Sequence, residues 1–323
     1  MKAITYNKYG PPDVLQYTDV EKPVPKAEEV LVKIHASSIN RGNLVLLSGK
    51  PFVARVAFGI RKPKFTVPGG DFSGVIEAVG NKVTQFKPGN TVFGDLSGSG
   101  WGAFAEYAPV PAHALTWKPE SLSFAEAAAL PMAGVTALQA LRDKGQLESG
   151  EKVLLYGASG GVGTFLVQLA KYFGAEVTAV CSTKHKDLLM NIGADHVIDY
   201  TVTDFSKETK QYDLIIGVNG SQPLSVYKRA LKSGGRFVHV GGSVTQLTQV
   251  MLASPLHSRS GGKQIASFLH RPKQEDLEEL KVIAETGCLL PVIDRTYALS
   301  DIREAFHYFT DGHVSGKVSI AMN

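Results

Sequence analysis

Cysteine is scarce: the 323 residues contain two, Cys181 and Cys288. Two thiols build neither a disulfide framework nor a four-thiolate metal site, and such sparing use fits a reducing compartment. Long hydrophobic runs are missing as well. No window holds about 18 consecutive apolar residues, so no transmembrane segment is expected. Charge of one sign is not in excess either: 34 Lys and Arg stand against 30 Asp and Glu, for a net +4. The basic residues are scattered, and no stripe for nucleic acid forms. The densest group, Arg61, Lys62 and Lys64, reads as a solvated loop. The first residues, Met1 to Tyr6, read as a strand and not as a signal or transit peptide, so the expected location is cytoplasmic.

What is there is enough chain for two domains. Residues 1 to 121 read as mostly β. Candidate strands are Lys2–Tyr6, Val14–Val20, Glu29–Ser37, Gly74–Val79, Thr91–Phe93 and Ala103–Val110, punctuated by prolines from Pro23 to Pro119 that exclude long helices. Composition changes near Ser121. Ser123-Phe124-Ala125-Glu126 is a capping box that opens an Ala-rich helix through Leu130; Pro131 interrupts it, and helical periodicity resumes from Gly134 to Leu141. From Glu151 to about Gly242 strands alternate with helical stretches: Val153–Tyr156, Val177–Cys181, His196–Ile198, Leu214–Val218 and Phe237–Val240. That spacing predicts parallel crossover units in a doubly wound α/β sheet. A last nucleotide-sheet strand near Gln264–Phe268, a helix Gln274–Thr286 closed by Gly287, a helix Asp301–Tyr308 and a strand Lys317–Ala321 complete the chain. The tail resembles the first domain, so residues 122–267 are expected to be inserted between 1–121 and 268–323.

The strongest local pattern is residues 150 to 171. An apolar run, Val153 to Tyr156, leads into Gly157-Ala158-Ser159-Gly160-Gly161-Val162-Gly163, and a helix with Phe165, Leu166, Leu169 and Ala170 on its apolar side follows. Glycines at 157, 160 and 163 let the turn tighten, let a pyrophosphate approach the backbone, and let helix and strand pack closely. The N–H groups at the helix start are the expected phosphate donors, from Ser159, Gly160, Gly161, Val162 and Gly163.

These residues, with Ser38-Ile39-Asn40, Pro68-Gly69-Gly70-Asp71-Phe72-Ser73-Gly74, Ala129-Leu130-Pro131, Val135-Thr136-Ala137, Gly193 to Tyr200 and Gly312 to Lys317, resemble the medium-chain dehydrogenase/reductase family in its zinc-free quinone oxidoreductase branch. Val218-Asn219-Gly220 and the stretch Asp311 to Lys317 are most similar to the 2-alkenal and oxoene reductases of the chloroplast envelope quinone oxidoreductase homologue type. The resemblance implies a Rossmann sheet inserted into a mostly β, GroES-like barrel domain. It also implies cofactor contacts from Tyr200 and Asn219, a nicotinamide site lined by Asn40, Thr136 and the region Gly241-Gly242, and a tail, Gly316-Lys317, that returns over the cofactor. Relatives often pair two subunits along the last strand of the nucleotide sheet, so a homodimer is expected.

The residues argue the chemistry further. A catalytic zinc needs three side-chain ligands and an open position. No cysteine lies in the first 121 residues, and the segment resembling the family's ligand site, Gly69 to Gly74, has no histidine; no zinc is expected. An activated C=C bond or a quinone, already electron-poor, accepts hydride without a Lewis acid. About 20 residues past the glycine turn, where an NAD-binding unit places a carboxylate, this chain has Cys181-Ser182-Thr183-Lys184-His185-Lys186. Ser182, Lys184 and Lys186 suit a 2′-phosphate, so NADPH is the expected cofactor; two lysines on a solvated helix start is the plainer alternative. Tyr200 also reads as core packing, and Asn40 either as a donor to the substrate carbonyl or as a structural loop residue. Asn43 stands where many relatives carry Asp, which puts a carboxylate proton relay in doubt and points to water as the proton source. Phe52, Phe58, Phe65 and Phe268 suit an apolar substrate cleft or a core. The expectation is an NADPH-dependent reductase of quinones or enones, acting on a small molecule. A zinc-free alcohol dehydrogenase and a non-catalytic NADPH-binding protein are the alternatives.

Overall fold

A computed structural model describes residues 1–207, 209, 211–218, 222–241 and 262–322. The chain divides into two compact units, one of Met1–Val135 with Arg271–Asn323 and one of Thr136–His270. Among the described residues, fifteen strands follow in chain order: β1 Lys2–Thr5, β2 Gln16–Asp19, β3 Glu29–Ile39, β4 Asp71–Val79, β5 Thr91–Asp95, β6 Tyr107–Pro111, β7 Leu115–Trp117, β8 Lys152–Tyr156, β9 Glu176–Cys181, β10 His196–Asp199, β11 Tyr212–Gly217, β12 Leu231–His239, β13 Gln264–Ser267, β14 Ile293–Ala298 and β15 Lys317–Ala321.

In the first unit, β14, β15, β3, β4, β5 and β7 lie side by side, with β6 also paired to β3. The long central strand β3 is what the site depends on. Its end pairs antiparallel with β4 on one side, Ser38 opposite Asp71, and with β15 on the other, Val318 opposite Ile39. Asp71 in turn faces Asp95 on β5. Three polar residues from separate parts of the sequence are thereby brought to one end of the sheet. The unit's apolar cores lie around Ile39, Phe104 and Phe306 and around Val32, Phe72 and Leu115.

Local sequence explains most of the remaining elements. Ser123 and Glu126 make both bonds of the capping box, Glu126 N–H to Ser123 Oγ at 3.3 Å and Ser123 N–H to Glu126 Oε2 at 2.8 Å, and the helix Phe124–Ala129 follows. The buried Ala127, Ala128 and Ala129 let that helix pack on β3 and β4, and Ser73 Oγ donates to the Phe124 carbonyl at 2.5 Å. Residues 122–135 therefore belong to the first unit, where the sequence suggested the nucleotide unit. Pro131 opens a second helix, Pro131–Leu138, because a first-turn position needs no N–H donor. A π turn, Gln139–Lys144, follows it. The proline-rich first domain also contains a helix that the sequence reading missed, Arg41–Ser48.

In the second unit the order is β10-β9-β8-β11-β12-β13, all parallel. This is the doubly wound arrangement, and its order reverses between β8 and β11. Gly157 follows β8 directly at that point. A Cβ there would lie 2.0 Å from the Val218 carbonyl oxygen, at the end of β11, and the backbone has φ +82°. Only glycine fits both demands. Among the described residues, β13 has a neighbour on one side only, as expected of the sheet's edge.

Candidate functional site

The glycine turn provides the first half of the site. Gly160 caps the helix Gly161–Tyr172 with φ −81° and ψ 178°, and its carbonyl accepts the Thr164 N–H at 3.0 Å. The N–H groups of the first turn are left without helical partners. No acidic side chain sits in that turn to neutralise the positive end of the helix. Around Gly160 there is room: the nearest atom to a Cβ would be the Gly157 oxygen, 3.8 Å away. At Gly163 there is none, with Gly157 O at 2.4 Å and Ala158 C and O at 2.5 Å. One glycine keeps space open and the other lets the helix close on the turn. Ser159, Gly161 and Val162 are half-buried beside them. The cradle fits a pyrophosphate.

Beyond β9, Ser182 is half-buried at the start of a short 3₁₀ turn, Thr183–His185, and Lys184 and Lys186 are exposed. Tyr200 is 55% exposed, which excludes the core-packing alternative, and its N–H donates to the Cys181 carbonyl at 3.0 Å. The sequence reading did not foresee Asp199. Parallel pairing sets it opposite Cys181, and it accepts from Thr183 Oγ at 2.5 Å and from Thr201 Oγ at 2.6 Å. The Thr183 hydroxyl foremost, then Thr201, holds the Asp199 carboxyl below its ordinary range. A carboxylate is thus present near the end of β9, with both oxygens bonded to neighbouring hydroxyls. Thr136 is buried, its Oγ 3.2 Å from His270 Nδ1. Gly241 has φ +136° and no atom within 4 Å of a Cβ position. Asn219 and Gly242 lie outside the described residues.

The first unit holds a different constellation. Asn40 sits between β3 and the helix Arg41–Ser48 as its cap, and its backbone N–H donates to Asn43 Oδ1 at 2.7 Å. Its side chain lies against two buried charges: Nδ2 donates to Asp71 Oδ2 at 2.7 Å, and Oδ1 accepts from Lys317 Nζ at 2.5 Å. Lys317 also donates to the Ile39 carbonyl at 3.2 Å and stands 3.5 Å from Asp71 Oδ2. Ser38 Oγ donates to the same carboxylate oxygen at 2.7 Å, and the Met132 N–H donates to Oδ1 at 3.0 Å. The side chains of Lys317 and Asp71 are 2% and 0% exposed. Burial pushes the Asp71 carboxyl up, against the pull of Lys317; burial pushes Lys317 down, against the pull of Asp71.

Lys317, expected at the cofactor, thus has its ammonium enclosed within the first unit, because β15 pairs with β3 beside Ile39 and Asn40. Gly316 before it has φ +81°, and a Cβ there would meet the Val292 oxygen at 2.3 Å. Asn43 is fully buried, and its Nδ2 has no partner among the described residues. Of the four phenylalanines read as a cleft, Phe58 and Phe65 pack against the first unit's core, Phe52 is 69% exposed, and Phe268 is half-buried in the other unit. The Asp71–Lys317 pair was missed as a pair. The available signal was an acidic residue inside an otherwise small and apolar run, Gly69 to Gly74.

Residues 26–120 match the family described as alcohol dehydrogenase GroES-like domain, and residues 192–320 that described as zinc-binding dehydrogenase. Over its length the chain is similar to the chloroplast envelope quinone oxidoreductase homolog of Arabidopsis thaliana, at 34% identity over 333 residues, covering 99% of this chain and 98% of the relative. It is 32% identical over 331 residues to the chloroplastic NADPH-dependent alkenal/one oxidoreductase of the same plant, covering 99% and 79%. Among solved structures, the quinone oxidoreductase from Coxiella burnetii superposes with a TM-score of 0.87 at 30% identity, covering 100% of this chain and 99% of that one.

Proposed function

The chain belongs to the quinone oxidoreductase branch of the medium-chain dehydrogenase/reductase family, and from that premise we propose that it uses NADPH to reduce quinones or the C=C bond of α,β-unsaturated carbonyls by direct hydride transfer, without zinc. The observation that carries the reading is the open glycine turn at the switch point of the sheet, with Ser182, Lys184 and Lys186 beyond the next strand. Gly160 leaves space for the pyrophosphate, and the free N–H groups of Gly161, Val162 and Gly163 hold its oxygens. Lys184 and Lys186 neutralise the 2′-phosphate, and Tyr200, exposed beside them, covers the adenosine. Thr136, Asn219, Gly241 and Gly316 are assigned to the remainder of the cofactor.

When bound, NADPH would supply a hydride. Hydride would add to the substrate β-carbon, the C=C π pair would shift to join the α-carbon to the carbonyl carbon, the C=O π pair would pass to the oxygen, and water would protonate the α-carbon as the C=O re-forms. Asn40 donates an N–H to that oxygen as negative charge gathers there, a contact of the kind worth about 3 kcal/mol when preorganised.

The donor set does not fit zinc, despite the family description. Cys181 lies within β9 of the second unit, and Cys288 is exposed in the first. Asp71 already accepts from Ser38, Asn40, Met132 and Lys317, and a divalent cation there would meet an ammonium group. No step is routed through a metal.

A homodimer pairing along the β13 edge follows the usual management of an open strand, and light scattering of the purified chain tests it. The two unpaired cysteines suit the cytoplasm. The reaction is tested by stopped-flow oxidation of NADPH with a panel of enones, quinones and simple aldehydes, with and without chelator. Turnover of enones or quinones that survives the chelator is the expected result. Absence of turnover with every acceptor, or complete loss with chelator, would sink it.

A further inference from the structure

We infer that Lys317 and Asp71 are positioning residues whose joint task is to fix the side-chain amide of Asn40 in one of its two orientations, so that one N–H is always presented to the substrate carbonyl. The inference rests on the role given to Asn40 above. An amide has an acceptor end and a donor end of nearly the same shape, so a lone Asn turns over at little cost. Here it cannot. Lys317 is a donor without acceptor capacity, and its Nζ lies 2.5 Å from one end of the amide, which must be Oδ1. Asp71, an acceptor when ionised, lies 2.7 Å from the other end, which must be Nδ2. A flipped amide would set its NH₂ against an ammonium and its oxygen against a carboxylate.

Because the amide is planar, fixing Oδ1 and one N–H fixes the direction of the second N–H. Among the described residues, Asn40 Nδ2 donates to Asp71 alone, so the second N–H is unused. Both charges are secured in turn. Ser38 Oγ and the Met132 N–H hold the carboxylate, and the Ile39 carbonyl holds the ammonium. The Asn40 backbone is held as well, by Asn43 Oδ1 on its N–H. Asn40 is 8% exposed and its two partners are enclosed, so bulk water has little access to either locked end.

The experiment compares Asn40→Ala, the charge-neutral pair Asp71→Asn with Lys317→Met, and the conservative Lys317→Arg, each as the full chain with NADPH. The acceptors are enones of graded electrophilicity and one strongly electron-poor quinone. Without its two charged neighbours the amide is free both to turn its oxygen to the substrate and to swing away from it, so the preorganised donor is lost. The neutral pair should therefore lose about ten- to a hundred-fold in kcat on the weakest enone. On the quinone it should stay within about three-fold of the parent, with KM for NADPH unchanged. Lys317→Arg, still a cation without acceptor capacity, should recover most of the loss. An equal fractional loss on all acceptors, or none on any, overturns the inference and leaves a merely structural pair. If that double variant does not fold, the closer-shaped neutral pair Asp71→Asn with Lys317→Gln, whose amides can each donate or accept and so favour neither orientation, is read by the same acceptor dependence. Parent-like turnover by Asn40→Ala would instead refute the role of Asn40 itself. A loss in Asn40→Ala unmatched by the neutral pair would refute only the positioning.

Discussion

Replacing Gly160 by Ala should remove the cofactor and leave the fold alone, while the same change at Gly163 should damage the fold. At Gly160 the backbone, φ −81° and ψ 178°, is open to any residue. A Cβ would meet nothing nearer than the Gly157 oxygen at 3.8 Å. Loss of a good cap costs about 0.5 to 1 kcal/mol. Stiffening of the unfolded chain returns about 0.4 to 1 kcal/mol. The two nearly cancel, so the melting temperature should move by no more than about 2 °C. The methyl group, however, occupies the open side of the turn, where a phosphate oxygen must approach. A ten-fold loss of NADPH affinity, about 1.4 kcal/mol, is the smallest effect expected. At Gly163 the new carbon lies 2.4 to 2.5 Å from three backbone atoms, none of which can swing aside. Overpacking of this kind costs about 1 to 3 kcal/mol. Fluorescence titration with NADPH and thermal melts read both quantities on both variants. If Gly160→Ala melts like the parent and still binds NADPH with parent affinity, the pyrophosphate does not lie over this turn and the cofactor assignment fails.

The other predictions concern separate parts of the molecule. Lys184→Ala and Lys186→Ala should each weaken NADPH binding by about ten-fold and leave NADH binding unchanged, by the loss of a charge-assisted contact; equal losses for both cofactors would remove these lysines from the 2′-phosphate. Cys288 is exposed, whereas burial pushes the Cys181 thiol up to about 11, so maleimide at neutral pH should label Cys288 and spare Cys181 until the protein unfolds. Peptide mapping reads the outcome, and rapid labelling of Cys181 would contradict the packing of β9. Thr183→Val should move the Asp199 titration up, toward the ordinary carboxylate range. With the folded value depressed, the Asp199 contribution is complete above the ordinary carboxylate range and is lost as pH falls through the depressed value. The variant and parent should therefore part company only in acid, and a carbon-detected NMR titration with no shift would refute the Thr183 bond.

Much of the second unit was legible in the sequence because its signals are local. A buried parallel strand is a continuous apolar run, and Val153 to Tyr156 supplies one next to glycines whose spacing only a tight strand–helix turn needs. The last strand, Lys317–Ala321, and the capping box at Ser123 were legible for the same reason. Where long-range pairing decides, legibility ends. The helix Arg41–Ser48 has no strong apolar stripe, and it forms because Asn40 and Asn43 cap it reciprocally against a buried carboxylate. Asp199 was visible as a residue but not as a neighbour of Ser182, since only parallel pairing places it opposite Cys181. The placement of residues 122–135 depends in the same way on Met132 and Phe124 bonding back to β4.

The pairing of Asp71 with Lys317 shows why the site is harder to read than the fold. Seen along the chain, the two are 246 residues apart, and each belongs to a short motif that glycines dominate. Seen in the sheet, they flank the end of one strand, β3, from its two neighbours. Stability does not account for keeping them there. Taking two charges fully out of water costs several kcal/mol per ion, and well-packed apolar pairs of similar volume often serve as well or better. An enclosed ion pair at 3.5 Å, with an amide inserted between its members at 2.5 and 2.7 Å, is also not built for the closest attraction between the charges. The shortest contact in the cluster runs from Lys317 to Asn40 Oδ1, and with the Asn40 Nδ2 bond to Asp71 it assigns the two ends of the amide. A fixed cation and a fixed anion are the means by which a side chain with two nearly equivalent faces acquires a direction. That direction is what a donor to a developing oxyanion requires before the charge arrives. On the role proposed for Asn40, the buried ammonium acts one side chain removed from the substrate, through the amide it orients.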